Sequence, residues 1–152
     1  MLSALLVVHS LLRWVVLLTG LAAAGRGMAG WGGRPWKPAD ARAGRFFIIA
    51  LDVQFLIGLL LYVIFSPTVG LAMRNVGVAM RDPVQRFFLV EHALGMIVAI
   101  ALAHIGQSKF RKTTDEGRRH RLAAVFFTLA LIIILLSIPW PGMPAGRPLL
   151  PW

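Results

Sequence analysis

Titratable side chains stand inside stretches of this chain that otherwise carry almost no charge: His9 and Arg13 in the first, Asp52 in the second, Glu91 and His92 at the start of the third. Such groups cost about 2.5–3.5 kcal/mol each in hydrocarbon even on the lenient insertion scale, unless a partner or ligand meets them, so each marks a functional position by default. The chain holds no Cys. Disulfides, thiolate metal sites and covalent c-type haem attachment are therefore excluded, and His is left as the strong metal-ligating side chain. Four His are available, at positions 9, 92, 104 and 120.

The elements that must position them follow from composition. Of 152 residues, 58% are hydrophobic and 14% charged, which reads as one integral membrane domain. A spanning helix needs roughly 20 mainly apolar residues, and the sequence predicts an all-α bundle of four, over about residues 3–24, 46–65, 87–106 and 122–140. The separators are rich in Gly, Pro and charge, and none is long enough for a domain of its own. Alternating polarity with a period of two, the mark of a barrel, is absent from the sequence. Residues 21–25 have the small side chains of a signal-peptide cleavage site. No Lys or Arg precedes that first apolar run, however, and Arg13 interrupts it, so the segment is expected to be retained.

Orientation follows from the Lys and Arg distribution. The loops over 25–45 and 107–121 together carry eleven, against four for the loop over 66–86 and the C-terminal tail. The positive-inside rule then puts both basic loops in the cytoplasm and both termini on the outer, periplasmic side of a bacterial inner membrane. The net charge of +10 could suggest nucleic acid, but these residues sit in short juxtamembrane loops facing anionic headgroups. The expected surroundings are the lipid bilayer and other membrane subunits, with no nucleic acid.

Depth then links two of the His. His9 and His92 enter from the same side, five or six residues into their helices, and both fall roughly 8–9 Å below the outer boundary. Two imidazoles at one level on different helices can ligate one iron from opposite sides, as in b-type haem bundles. Below His92 on its own face run Gly95, Ala99 and Ala103, a stripe of missing bulk. That stripe is either a slot for a macrocycle or a small-residue seam between helices.

The remaining polar residues leave alternatives open. Arg13 sits one turn below His9 and could pair with Glu91, bind a haem propionate or meet a quinone oxygen. Asp52, about 10 Å from the cytoplasmic boundary, has no Lys or Arg inside a span at its depth. It is expected to be neutral, to meet a partner subunit, or to deliver protons to a quinone. Gln54, Gly58 and Tyr62 share a face suited to packing or cofactor contact. His104 lies about 18 Å beyond His92 and could join a second haem only with His120, which otherwise reads as a solvated loop residue. Pro139 and Pro141 end the last span around Trp140, and the tail 141–152 is expected to lie extended on the bundle or a partner, with Trp152 back at the interfacial belt.

Several runs together resemble a known group: His9-Ser10-Leu11-Leu12-Arg13-Trp14, Gln54-x-x-x-Gly58-Leu59-Leu60-Leu61-Tyr62, Arg86-Phe87-Phe88-x-x-Glu91-His92, His104-Ile105-Gly106, Ile138-Pro139-Trp140-Pro141 and Arg147-Pro148-Leu149. Over nearly its whole length the chain is similar to small bacterial four-helix membrane proteins labelled cytochrome b or cytochrome b561-like. The resemblance implies the four-helix architecture and a haem. It departs from two-haem bundles, in which four His form two stacked pairs, and so implies one outer-side haem at most. No phosphate loop, nucleophile elbow or zinc-protease motif occurs, so the chain does not read as an enzyme by itself, though it could serve an oxidoreductase complex. Two readings follow. One is an electron-transfer subunit with haem b between His9 and His92, exchanging electrons with quinone or a partner subunit. The other is a cofactor-free accessory subunit of a respiratory or photosynthetic membrane complex.

Overall fold

The computed structural model describes residues 1–150, which are helical with no strand among them. In chain order the elements are α1 (Leu2–Ala29), α2 (Pro38–Leu60) with a π-helical turn at Leu61–Phe65, α3 (Pro67–Arg74), α4 (Val76–Ala79), α5 (Pro83–Arg86), a second π-helical turn at Phe87–Glu91, α6 (His92–Lys112) and α7 (Glu116–Ser137). Four helical rods, Leu2–Ala29, Pro38–Phe65, Pro83–Lys112 and Glu116–Ser137, are long and apolar enough to cross a membrane. The chain is a multi-pass helical membrane protein. Large apolar side chains on its outer faces, such as Leu18, Leu56, Val63 and Leu136, match a bilayer environment.

α1 packs against both α2 and α7, α6 packs mainly against α7, and α2 meets α6 along a lesser seam, so α1 and α6 stand diagonally across the bundle. Small residues set the close approaches. A Cβ on Gly27 would lie 2.6 Å from the backbone nitrogen of Ala124, which brings α1 onto α7 backbone to backbone. On the side of the basic loops the interior is aromatic: Phe127 meets Phe47 at 5.4 Å and Phe110 at 5.7 Å between ring centroids, both edge to face.

The helices at that side run further than hydropathy alone indicates, because each end has its own cap. Pro38 at the first helical position and Asp40 two residues on start α2, with Asp40 Oδ2 accepting the Lys37 backbone N–H at 2.8 Å. Asp115 begins α7 by accepting the backbone N–H of Arg118. Arg119 donates to the carbonyls of Phe110 and Thr113 and so closes the C-terminus of α6.

Asp40 is the buried charge of this end. Its side chain is 1% exposed and takes Arg26 Nε at 2.7 Å and Arg34 Nη2 at 2.9 Å on Oδ1, with Arg34 Nη1 on Oδ2 at 3.1 Å. The hydrogen bond to Asp40 pushes the Arg34 guanidinium above its ordinary value. The cluster ties the α1–α2 loop to both helices it joins. His120, read from the sequence as solvated, is instead fully buried, its ring 4.8 Å from that of Trp36 and pressed against Gly30, because the same loop folds back over the start of α7.

At the opposite end the tail turns back over the bundle rather than lying extended. Gly142 takes a positive φ of 91° in that turn. Arg147 N–H bonds the Pro139 carbonyl at 3.0 Å, and the Leu149 carbonyl accepts from Arg13 Nη2 at 2.7 Å and Trp14 Nε1 at 3.2 Å. Trp152 lies outside the described residues.

Candidate functional site around His9 and His92

The helix that carries His92 is not uniform. In an α-helix, residues five apart point well away from each other, whereas the i→i+5 turn over Phe87–Glu91 brings the Phe87 ring to 6.0 Å from the His92 ring. The Phe88 ring, four residues from His92 and so on its face in either kind of helix, lies at 6.3 Å. The matching π turn at the end of α2 faces it, and Tyr62 Oη–H donates to the Leu89 carbonyl at 2.9 Å, pinning one irregular turn to the other. Turns of this kind concentrate at functional sites.

His9 and His92 come from the diagonal helices α1 and α6, and their ring centroids are 6.4 Å apart with planes at 70°. His92 Nδ1–H donates to the Ser137 carbonyl at 2.7 Å. A carbonyl only accepts, so this bond fixes the tautomer and leaves the Nε2 lone pair open for a metal, the usual support of a ligating imidazole. His9 Nδ1 is buried and makes no hydrogen bond. Its ring lies over Gly58, where a Cβ would stand 3.1 Å from Cε1. Gln54 Nε2 donates to the His9 carbonyl at 3.0 Å and ties α2 to α1 at this level.

His9 Nδ1, Arg13 Nε and Gln54 Oε1 are buried at this end without a hydrogen-bond partner, as are both ring nitrogens of His120 and Thr128 Oγ1 elsewhere in the bundle. Among the described residues no group of three or more His, Asp or Glu is placed to hold a metal ion, and His9 and His92 are the two imidazoles that meet at this end.

Other expected site residues lie elsewhere. Gly95 is not the floor of a slot. A Cβ there would overlap Ser137 Oγ, so Gly95 with the fully buried Ala99 and Ala103 forms the α6–α7 seam. That close approach is what carries the Ser137 carbonyl to His92. Arg13 and Glu91 do not pair. Glu91 turns outward to Arg86 on its own rod at 2.7 Å, while Arg13 is buried under the tail. Asp52 has a partner within the chain: His104 Nε2 lies 2.7 Å from its Oδ1, across α2 and α6. With His104 engaged there and His120 buried against Trp36, these two do not face each other across a second site.

Compared with family models, with curated protein sequences and with solved structures, this chain has no significant match in any of the three.

Proposed function

We propose that this protein is a membrane electron-transfer subunit that holds one b-type haem between His9 and His92 and exchanges electrons with quinone or a partner subunit. The supporting observation is the spacing of two imidazoles on diagonal helices, one of them already oriented by a carbonyl. Iron–imidazole bonds of about 2 Å on each side, with about 1 Å from each nitrogen to its ring centroid, put the centroids roughly 6 Å apart. The observed separation is 6.4 Å. The donor set and the orphaned His9 Nδ1 therefore fit the group. In this reading His9 and His92 would hold the haem iron. Phe87 and Phe88 form the apolar wall beside His92, and Arg13, with its unpartnered Nε, is the cation for a propionate. Bound haem supplies reversible one-electron exchange at its iron. The tail over Arg13 and the tight α6–α7 seam keep water from the pair.

In this reading His9, His92 and both termini lie on the periplasmic side of the bacterial inner membrane, an orientation the Lys and Arg asymmetry of the loops supports. A C-terminal reporter active only outside the cytoplasm should therefore be on, and activity from a cytoplasm-only reporter contradicts the orientation.

Titrating the detergent-purified chain with haemin tests the ligand set. Saturation at one equivalent with a low-spin spectrum is expected. Binding that continues past one equivalent without a low-spin signal would mean nonspecific partition into the micelle.

A further inference from the structure

The end of α6 near the basic loops carries a polar face that the His9–His92 region does not use. His104, Gln107, Ser108, Arg111 and Lys112 recur at helical offsets of three, four, seven and eight and line an open, shallow groove of about 420 Å³ along the surface of α6. The face runs about 12 Å along the helix axis. Arg111 and Lys112 stand at its outer end, in the last turn of α6. At its inner end is the His104–Asp52 pair, with side chains 48% and 40% exposed. That pair opens sideways from the seam between α2 and α6, where acyl chains offer nothing to hydrogen-bond.

Whatever covers this face has to be anionic at the level of Arg111 and Lys112, to accept hydrogen bonds at the level of Ser108 and Gln107, and to be apolar below His104. A phospholipid presents phosphate, ester carbonyls and acyl chains in that order. None of the five lining residues is acidic, so the outer end favours a lipid with net negative charge over a zwitterionic one. We propose that the groove binds one anionic phospholipid, with its phosphate on Arg111 and Lys112, its glycerol ester oxygens accepting from Ser108 and Gln107, and its acyl chains starting beside the His104–Asp52 pair. The site is independent of the His9–His92 reading, at the opposite end of the same helix.

Native mass spectrometry of the full chain in detergent, offered equimolar phosphatidylglycerol and phosphatidylcholine, tests this. One phosphatidylglycerol should be retained, at least tenfold over phosphatidylcholine. Arg111→Gln with Lys112→Gln should lower that retention tenfold or more, and His104→Ala severalfold. Arg45→Gln with Arg121→Gln, which removes the same charge outside the groove, should leave it unchanged. Millimolar inorganic phosphate should not displace the lipid. Equal retention of the two lipids, undiminished retention by the Arg111/Lys112 variant, an equal loss in the Arg45/Arg121 control, or displacement by inorganic phosphate each overturns the proposal. Helicity and melting temperature check that the variants fold. Should the double variant not fold, Ser108→Leu, which fills the groove and keeps its charge, must show the same loss, and full retention by it overturns the proposal equally. Haemin binding stays as in the unaltered chain in every case.

Discussion

Replacing His9 or His92 by Ala should abolish the low-spin haem spectrum, with haemin affinity falling at least about 100-fold, beyond the 10–100-fold typical of losing a supporting residue around a metal. Each imidazole would supply one of the two side-chain ligands to the iron, and no other His, Asp or Glu of the described residues is grouped with them to substitute. His104→Asn should leave the spectrum intact, because that ring is committed to Asp52 in the other half of the bundle. His120→Leu, a swap of similar size in a buried apolar setting, should do the same. Gly95→Val is the informative intermediate. Its side chain would collide with Ser137, push α7 from α6 and take the supporting carbonyl away from His92, so affinity should fall by about 10–100-fold with both ligands still present. Haem binding that survives either ligand substitution would show that the imidazoles face each other for packing alone.

Asp40→Ala should be the most destabilising polar substitution at the other end, by about 3 kcal/mol, measured by reversible unfolding in mixed micelles. Removing one partner of a buried ion pair costs about 3–5 kcal/mol, and the lower end applies because water can reach the abandoned guanidinium groups. Arg26 and Arg34 remain 38% and 27% exposed, against 1% for Asp40. Asp40→Asn should cost less, since an amide oxygen can still accept the Lys37 N–H that starts α2. A loss below about 1 kcal/mol for Asp40→Ala would place the cluster among surface pairs of little consequence.

The four spans were legible because length and apolar composition alone decide them, and the level of His9 with His92 because a helix rises by a fixed amount per residue. The same depth reasoning, applied to Asp52 and His104, would have found their pairing. Both lie in the half of the bundle near the basic loops, on helices that run in opposite directions. Seeking only Lys or Arg for Asp52 hid it. The π turns left no mark in the sequence: Phe87–Glu91 reads equally as α-helix, yet the extra residue turns Glu91 outward to Arg86 and sets Phe87 beside His92. The burial of His120 and the capture of Arg13 by Leu149 depend on where a loop and the tail fold back, and periodicity does not reach either. Gly95 shows the ambiguity of small residues, since a stripe of missing bulk admits a helix as readily as a cofactor, and here Ser137 of α7 occupies it.

The most direct measurement is a dithionite-reduced minus oxidised absorbance spectrum of the full chain, purified in mild detergent from cells supplied with haem precursor. The sharp α and Soret difference bands of a low-spin b-type haem, at one haem per chain and missing from both His9→Ala and His92→Ala, are the expected result. A flat difference spectrum from folded protein would contradict the haem site and leave a cofactor-free membrane subunit in which the His92–Ser137 bond and the Gln54–His9 bond serve only to hold helices together.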